Sequence, residues 1–348
     1  MGCPHTCVFC NQKKIAGCYE KPTANFIKQK VFSCLQTFKN VKEAYIEVAF
    51  YGGSFTGIEE EIQDELLEVA SNLKKANIIH GIRISTRPDY INKRVIERLK
   101  KFGVDTIELG VQSLHRDVLN RSQRGHSEHD VIEAVKQLKK INKKVGIQLM
   151  PGLPGDTREK VLATTEKVIS LKPDFIRIYP TVVIKETLLA EWLAKGNFVP
   201  WTLEKAIEIT SEMVILFSQT GIPVIRLGLQ AAENLQPGRD LVAGPYHPAF
   251  GELVKSRIYR KQIEYLLTNT DTNVVDNHLV VFCYYKDISQ VKGQKQANLK
   301  YFREKFKLVL EVLPKKDLNS GSIAWLTGTG NSLNVFTRRE FLEKYRIK

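Results

Sequence analysis

From residue 24 onward the chain alternates amphipathic helical stretches with short runs rich in Ile, Val and aromatic residues. That alternation predicts a parallel sheet wrapped by helices. Ile62, Leu66, Val69, Ala70 and Leu73 recur at helical spacing, as do Val131, Val135, Leu138 and Ile141. Each set gives one apolar stripe to lay on a sheet. Residues 45–51, 82–85, 106–111, 145–150 and 175–179 read as buried strands. Asp156, followed by Glu159, offers a helix start after a Gly/Pro loop. At 348 residues there is room for an α/β barrel core and a smaller appended domain. Past residue 220 the pattern changes: residues 222–229 read as a strand, and loops follow at Pro237-Gly238 and at 244–248. The expected division is therefore a barrel over 1–220, carrying the site, and an α+β domain over 221–348.

The carboxyl ends of the expected strands carry the distinctive residues: Gly52-Gly53-Ser54-Phe55-Thr56, Thr86-Arg87-Pro88-Asp89, Gln112-Ser113 and Pro151-Gly152-Leu153-Pro154-Gly155. Barrel enzymes build active sites at that end. Taken singly, the glycines suit turns, Arg87 and Arg124 suit solvated charges, His126 suits a helix cap and Tyr179 suits a core position. Their placement at successive strand ends argues for one site. Hydrophobic residues make up 43% and charged residues 26%, which excludes a disordered chain. No apolar run approaches the roughly 20 residues of a membrane span, and the start lacks the regions of a signal peptide, so a cytoplasmic setting without membrane contact is expected. Lys and Arg number 52 against 38 Asp and Glu, a net charge of +14, which favours polyanionic partners such as RNA or phosphorylated metabolites. Within residues 285–316 nine basic residues face three acidic ones, so the basic charge concentrates toward the C-terminal end.

Three of the six cysteines, Cys3, Cys7 and Cys10, crowd into eight residues of a chain with no export signal. Reduced thiolates acting as ligands are favoured over disulfides. The spacing Cys3-x3-Cys7-x2-Cys10 puts three thiolates on one loop, each able to take one iron of a cubane and leaving the fourth iron open. A structural zinc site with His5 as fourth ligand is the other fit. Against it, His5 sits cramped between two of the cysteines, and no second Cys or His pair follows. Cys18, Cys34 and Cys283 read as buried apolar thiols.

The run Cys3-Pro-His-Thr-Cys7-Val-Phe-Cys10 resembles the cysteine signature of the radical S-adenosylmethionine (SAM) superfamily, with Phe9 as its aromatic. Tyr51-Gly-Gly-Ser-Phe-Thr-Gly57, Ser85-Thr-Arg-Pro-Asp89, Glu108-Leu-Gly-Val-Gln-Ser113, Arg124-Gly-His126 and Met150-Pro-Gly-Leu-Pro-Gly155 resemble the radical SAM half of the Elongator catalytic subunit, over about residues 3–180. The resemblance implies a partial (β/α)6 TIM-like barrel with a 4Fe-4S cluster on Cys3, Cys7 and Cys10. Its open iron would bind SAM and, once reduced by an electron donor protein, cleave it to a 5′-deoxyadenosyl radical that abstracts a substrate hydrogen. By the same resemblance Gly52, Gly53 and Ser54 stand at the methionine amino group, where glycine lets backbone carbonyls approach an ammonium. Arg124 would pair with the carboxylate, Ser85 and Gln112 would face the ribose, Met150 and Pro151 the adenine, and Tyr179 the floor.

Only Met1 and Gly2 precede Cys3, where the family has its first barrel strand, so a barrel lacking that strand is expected. No glycine-rich acetyl-CoA motif is found, since Gly328-Thr-Gly330-Asn331 stands too near the C-terminus to open an acetyltransferase domain, and acetyl-CoA is not expected. Residues 291–298 form a basic Gly loop between two helical stretches, loosely like the GXXG loop of KH RNA-binding modules, with Gln296 in place of the second Gly. The leading expectation is a radical SAM enzyme acting on tRNA or another RNA, docked on the basic C-terminal domain. The alternatives are radical SAM chemistry on a small metabolite or tetrapyrrole, as in the related oxygen-independent coproporphyrinogen oxidases, and a non-catalytic, metal-stabilised RNA-binding protein.

Overall fold

The computed structural model describes residues 3, 7–12, 14, 22–40, 43–230, 238–270, 274, 277–326 and 333–347. The chain forms two compact units, one of residues 1–202 and 222–246, the other of residues 203–221 and 247–348. In chain order the strands of the first unit are Glu47–Phe50 (β1), Gly81–Thr86 (β2), Thr106–Gln112 (β3), Lys144–Leu149 (β4), Phe175–Ile178 (β5), Val183–Ile184 (β6), Val224–Leu227 (β7) and Leu241–Ala243 (β8). Six of them form a parallel half-barrel in the order β1-β2-β3-β4-β5-β7, as the helix–strand alternation predicts. β6 and β8 form a separate antiparallel pair.

All seven residues of β3 are buried, as befits a strand with a neighbour on each edge and helices behind it. The helix Glu60–Lys75 buries Leu66, Leu67, Val69, Ala70 and Leu73; it opens on Glu60 and Glu61 and closes on Lys74 and Lys75, charges that oppose its dipole. The helix Glu128–Lys140 starts from a reciprocal capping box between Ser127 and Asp130. The next helix, Arg158–Ser170, is capped by Thr157 rather than by the expected Asp156. Asp156 is turned back instead, to accept the Gly152 amide at 2.9 Å.

The expected boundary at residue 220 is corrected. Val224–Leu227, assigned from the sequence to the C-terminal domain, pairs parallel with β5 and completes the six-stranded sheet. All six strands follow the cysteine loop in sequence. The helix Leu203–Gln219, assigned to the barrel, belongs to the second unit. The reason is a charge ladder: Glu204 and Glu208 of that helix hold Arg257, and Glu208 and Glu212 hold Lys261, all on one side of the helix Phe250–Asn269.

The second unit adds the strands His278–Tyr284 (β9), Val309–Lys315 (β10), Ile323–Leu326 (β11) and Leu333–Phe336 (β12) in the order β10-β9-β11-β12. β9 and β10 run parallel because two helices, Ile288–Lys292 and Ala297–Phe306, return the chain between them. Val281, Cys283, Val291, Phe302, Leu310 and Val312 are buried in this α+β unit.

Candidate functional site

Cys7, Val8 and Phe9 are buried and share one apolar cluster with Val118, Leu153, Val183 and Leu189; Cys10 and Met150 pack against it. The backbone is tied on both sides. The Val8 amide donates to the Ser122 carbonyl at 3.2 Å, the Leu189 amide to the Val8 carbonyl at 2.8 Å, and the Cys10 amide closes a turn onto Cys7 at 3.0 Å. Arg124 reaches beneath the loop, donating from Nη1 to the Cys7 sulfur at 3.4 Å and from Nη2 to the Gly110 carbonyl at 2.5 Å. A Cβ on Gly110 would meet that guanidinium at 3.0 Å, so a bare strand position is what lets Arg124 lie across β3.

Burial first, then the neighbouring thiols of Cys7 and Cys3, push the Cys10 thiol up to about 12, with Arg124 working against them. Such a thiol keeps its proton against water and gives it up to a metal. Among the described residues no three His, Cys, Asp or Glu side chains stand close enough to hold a single metal ion. A cubane takes one thiolate per iron, whereas a structural zinc gathers its ligands around one ion. His5, the suggested fourth zinc ligand, and Cys18 lie outside the described residues. Cys3 is exposed and Cys283 is buried, as expected for the latter; Cys34, expected to be buried, is exposed, because the helix Ala24–Leu35 buries only Ile27.

The strand ends converge on this loop to different degrees. Gly52 and Gly53 adopt φ of +107° and +119°, open to glycine and strained for other residues. The buried Ser54 hydroxyl is paired with Thr86 at 2.8 Å and accepts the Arg87 amide at 3.3 Å, so its side chain braces the glycine turn from within. Gln112 follows a bulge in β3 and holds φ of +69°, a strained conformation for a non-glycine residue. Its backbone carbonyl accepts the Met150 amide at 2.9 Å, and its side chain accepts from Gln148 at 3.3 Å.

Pro151 continues that loop, its carbonyl accepting from Thr181 at 2.9 Å. Burial pushes Asp156, which closes the loop, up to about 7 against the pull of its backbone donors. Direct contacts therefore join Phe9, Cys7, Cys10, Arg124, Gln112 and Met150. Ser85, half-buried beside Glu108, and Tyr179, which follows β5, lie on the same strand ends without a hydrogen bond to the cysteine loop among the described residues.

Arg87 and His126 are not the solvated charge and helix cap their types suggest. Arg87 is 1% exposed and grips Asp89 through Nε at 2.9 Å and Nη2 at 2.8 Å. His126 is buried, and burial, then Arg124 and Arg87, push it down to about 3, so it is neutral at physiological pH.

One constellation escaped sequence reasoning. Glu108, 2% exposed, accepts Tyr51 Oη at 2.7 Å, Arg83 Nη1 at 2.8 Å and Arg177 Nη1 at 2.7 Å. Arg83 also donates to Glu47 at 2.8 Å, and the Arg177 guanidinium lies 5.1 Å and 5.3 Å from the ring centroids of Tyr51 and Tyr179. The network ties β1, β2, β3 and β5. One charged residue inside each of four strands expected to be buried, Glu47, Arg83, Glu108 and Arg177, was the available signal.

Residues 1–168 match the family model described as the Radical SAM superfamily, and residues 173–260 match the Radical_SAM C-terminal domain. Over 186 residues, 48% of this chain and 35% of the relative, the sequence is 34% identical to the tRNA uridine(34) acetyltransferase of Methanocaldococcus infernus. It is 27% identical to Elongator complex protein 3 of Bos taurus over 258 residues, 62% of this chain and 47% of that protein. The solved structure of archaeal Methanocaldococcus infernus Elp3 lacking residues 1–46 matches with a TM-score of 0.59 at 27% identity, covering 69% of this chain and 62% of that one. The match thus spans about a third of the acetyltransferase's length and about half of the Elongator protein's. No helix among the described residues is long and apolar enough to cross a membrane. With two family models of that superfamily together covering well over half of the residues, and with the loop of Cys7 and Cys10 tied at the strand ends of a half-barrel, the chain belongs to the radical SAM superfamily, an enzyme family that uses a 4Fe-4S cluster and SAM, and its radical SAM region is homologous to that of Elp3.

Proposed function

We propose that Cys3, Cys7 and Cys10 hold the 4Fe-4S cluster and that the enzyme modifies tRNA in the cytoplasm, where thiolates stay reduced and a donor protein supplies the electron. The observation that carries this reading is the Arg124–Cys7 contact beneath a cysteine loop clamped at the strand ends. When bound, the cluster and SAM supply a 5′-deoxyadenosyl radical able to abstract a hydrogen atom. The chain's own residues prepare the place for it. Val8, Phe9, Leu153 and Leu189 wall the loop from water. Arg124 offsets the negative charge of the thiolates, and the Gly52-Gly53 backbone receives the ammonium of SAM. Both Nη atoms of Arg124 are engaged, so we assign it to holding Cys7 before pairing with a carboxylate. Gln112, Ser85, Met150, Pro151 and Tyr179 line the remaining strand ends for the nucleoside part. Acetyl transfer, named for the relatives, is no part of the proposal.

The test is anaerobic reconstitution with iron and sulfide, then dithionite reduction and measurement of 5′-deoxyadenosine with and without tRNA. We expect product from the wild type, stimulation by tRNA, and loss of both cluster absorbance and product in Cys7→Ala. A cluster retained by Cys7→Ala would overturn the ligand assignment. Product stimulated by a small metabolite or tetrapyrrole but not by tRNA would overturn the substrate class.

A further inference from the structure

The second unit distributes its positive charge unevenly. In its helical layer several cations are matched, Arg257 by Glu204 and Glu208, Lys261 by Glu208 and Lys255 by Glu252, while Arg260 donates to Asn298 and lies over the Tyr301 ring. In the stretch from β9 to the end of β10, Lys292, Lys295, Lys300, Arg303, Lys307 and Lys316 have no carboxylate within ion-pair distance among the described residues; Lys305 pairs with Glu264 and Lys315 with Asp317. Lys300 and Arg303 recur at three-residue spacing in the helix Ala297–Phe306, which places them on one face, and Lys307 follows as its left-handed C-cap. Uncompensated charge of one sign projects a field that attracts a polyanion.

Aromatic surface accompanies this charge. At the carboxyl end of β9, Tyr284 and Tyr285 meet edge to face with ring centroids 4.6 Å apart, and Tyr285 is 43% exposed. Lys286 Nζ lies 5.5 Å from the Tyr285 ring, and Tyr284 stands in register beside Lys315 of β10, with Lys316 next in sequence. An exposed ring held by its neighbour and flanked by lysines can stack a base while the lysines take phosphates.

The loop between the two helices is rigid as well. The Asn298 side-chain Nδ2 donates to the Val291 carbonyl at 2.9 Å and the Ser256 carbonyl at 3.1 Å, and a Cβ on Gly293 would come 3.0 Å from the Asn298 backbone nitrogen. Gln296, which replaces the second glycine of the GXXG pattern, nevertheless takes a left-handed φ of +61°, and Lys295 beside it takes +52°, both exposed. A loop ordered in advance loses little entropy on binding.

We propose that the β9–β10 segment is a docking surface for single-stranded RNA, with Tyr285 stacking a base and Lys286, Lys315 and Lys316 on the phosphates. The remaining unpaired cations supply attraction at range. The proposal rests on RNA being the substrate class, and it names the part of the chain that captures it.

The test is fluorescence anisotropy of the full reconstituted chain with a labelled single strand of about 20 nucleotides, at about 50 and 200 mM salt. Tyr285→Ala should weaken binding about tenfold with the salt slope unchanged, since stacking is not ionic. The triple variant Lys300→Glu, Arg303→Glu, Lys316→Glu should weaken it at least tenfold and flatten the slope. Inorganic polyphosphate should compete poorly. Wild-type affinity in Tyr285→Ala, an unchanged salt slope in the triple variant, or equal competition by polyphosphate would overturn the proposal. SAM cleavage without RNA, measured on the same samples, keeps the two readings apart. Wild-type cleavage in variants that lose RNA supports the docking surface; a wild type that binds RNA through Tyr285 but never cleaves SAM would sink the barrel chemistry alone.

Discussion

In the half-barrel, Arg83 and Arg177 are locked onto Glu108 and Glu47 in the interior; in the β9–β10 segment of the second unit, most cations stand exposed and unmatched. The difference has a physical cause. A buried charge must be paired, because desolvation is repaid only by a close partner, whereas an exposed one is solvated at little cost and stays available for a ligand. Charge inside the barrel therefore reports on how the strands are held, and charge outside the second unit reports on what it meets.

The largest expected break in this contrast is Glu108→Gln at a buried position, which leaves the half-buried Arg177 without its carboxylate and Arg83 with Glu47 alone. Removing one partner of a buried ion network costs about 3–5 kcal/mol. The urea midpoint should fall accordingly with the m-value unchanged. A loss below about 1 kcal/mol would mean that the network does not hold the strands together.

Next comes Asp156. Its folded carboxyl titrates near 7 against about 4 unfolded. The folded state binds the proton more tightly, so the associated stability is fully present below the unfolded value and is lost as pH rises through 7. Unfolding measured from pH 4 to 8 should show the wild type losing about 4 kcal/mol relative to Asp156→Asn. Parallel curves for the two proteins would refute the buried carboxyl.

The smallest effect belongs to the exposed side of the comparison. Lys300→Glu with Arg303→Glu should change the urea-derived stability by no more than about 0.5 kcal/mol. A clear loss would mean that these cations serve the fold after all.

The cysteine loop, the strand ends and their order along the chain were legible because each is a local pattern: three thiols in eight residues, and turns of Gly, Pro and Ser after runs of β-formers. The one helix start read from the sequence fell within a residue of the observed cap, and Asp156 shows the limit. A carboxylate before a helix reads as a cap, yet here the adjoining Thr157 caps and Asp156 closes the preceding loop. The domain boundary was misplaced for a related reason. The pattern of residues 222–229 announced a strand without saying which sheet would take it, and the glutamates of the helix 203–219 needed Arg257 and Lys261, some fifty residues on, to show their use.

The sequence by itself determined the cysteine signature and the helix–strand alternation, since residue type, residue spacing and apolar period are properties of neighbouring residues. Only the tertiary structure decided that Arg124 lies under Cys7, that Ser54 turns inward, that Glu108 gathers two arginines and a tyrosine, and that the β9–β10 cations find few partners. Each of these depends on which strands and helices stand side by side, and side chains distant in sequence acquire partners, or lack them, only once the backbone has brought their elements together.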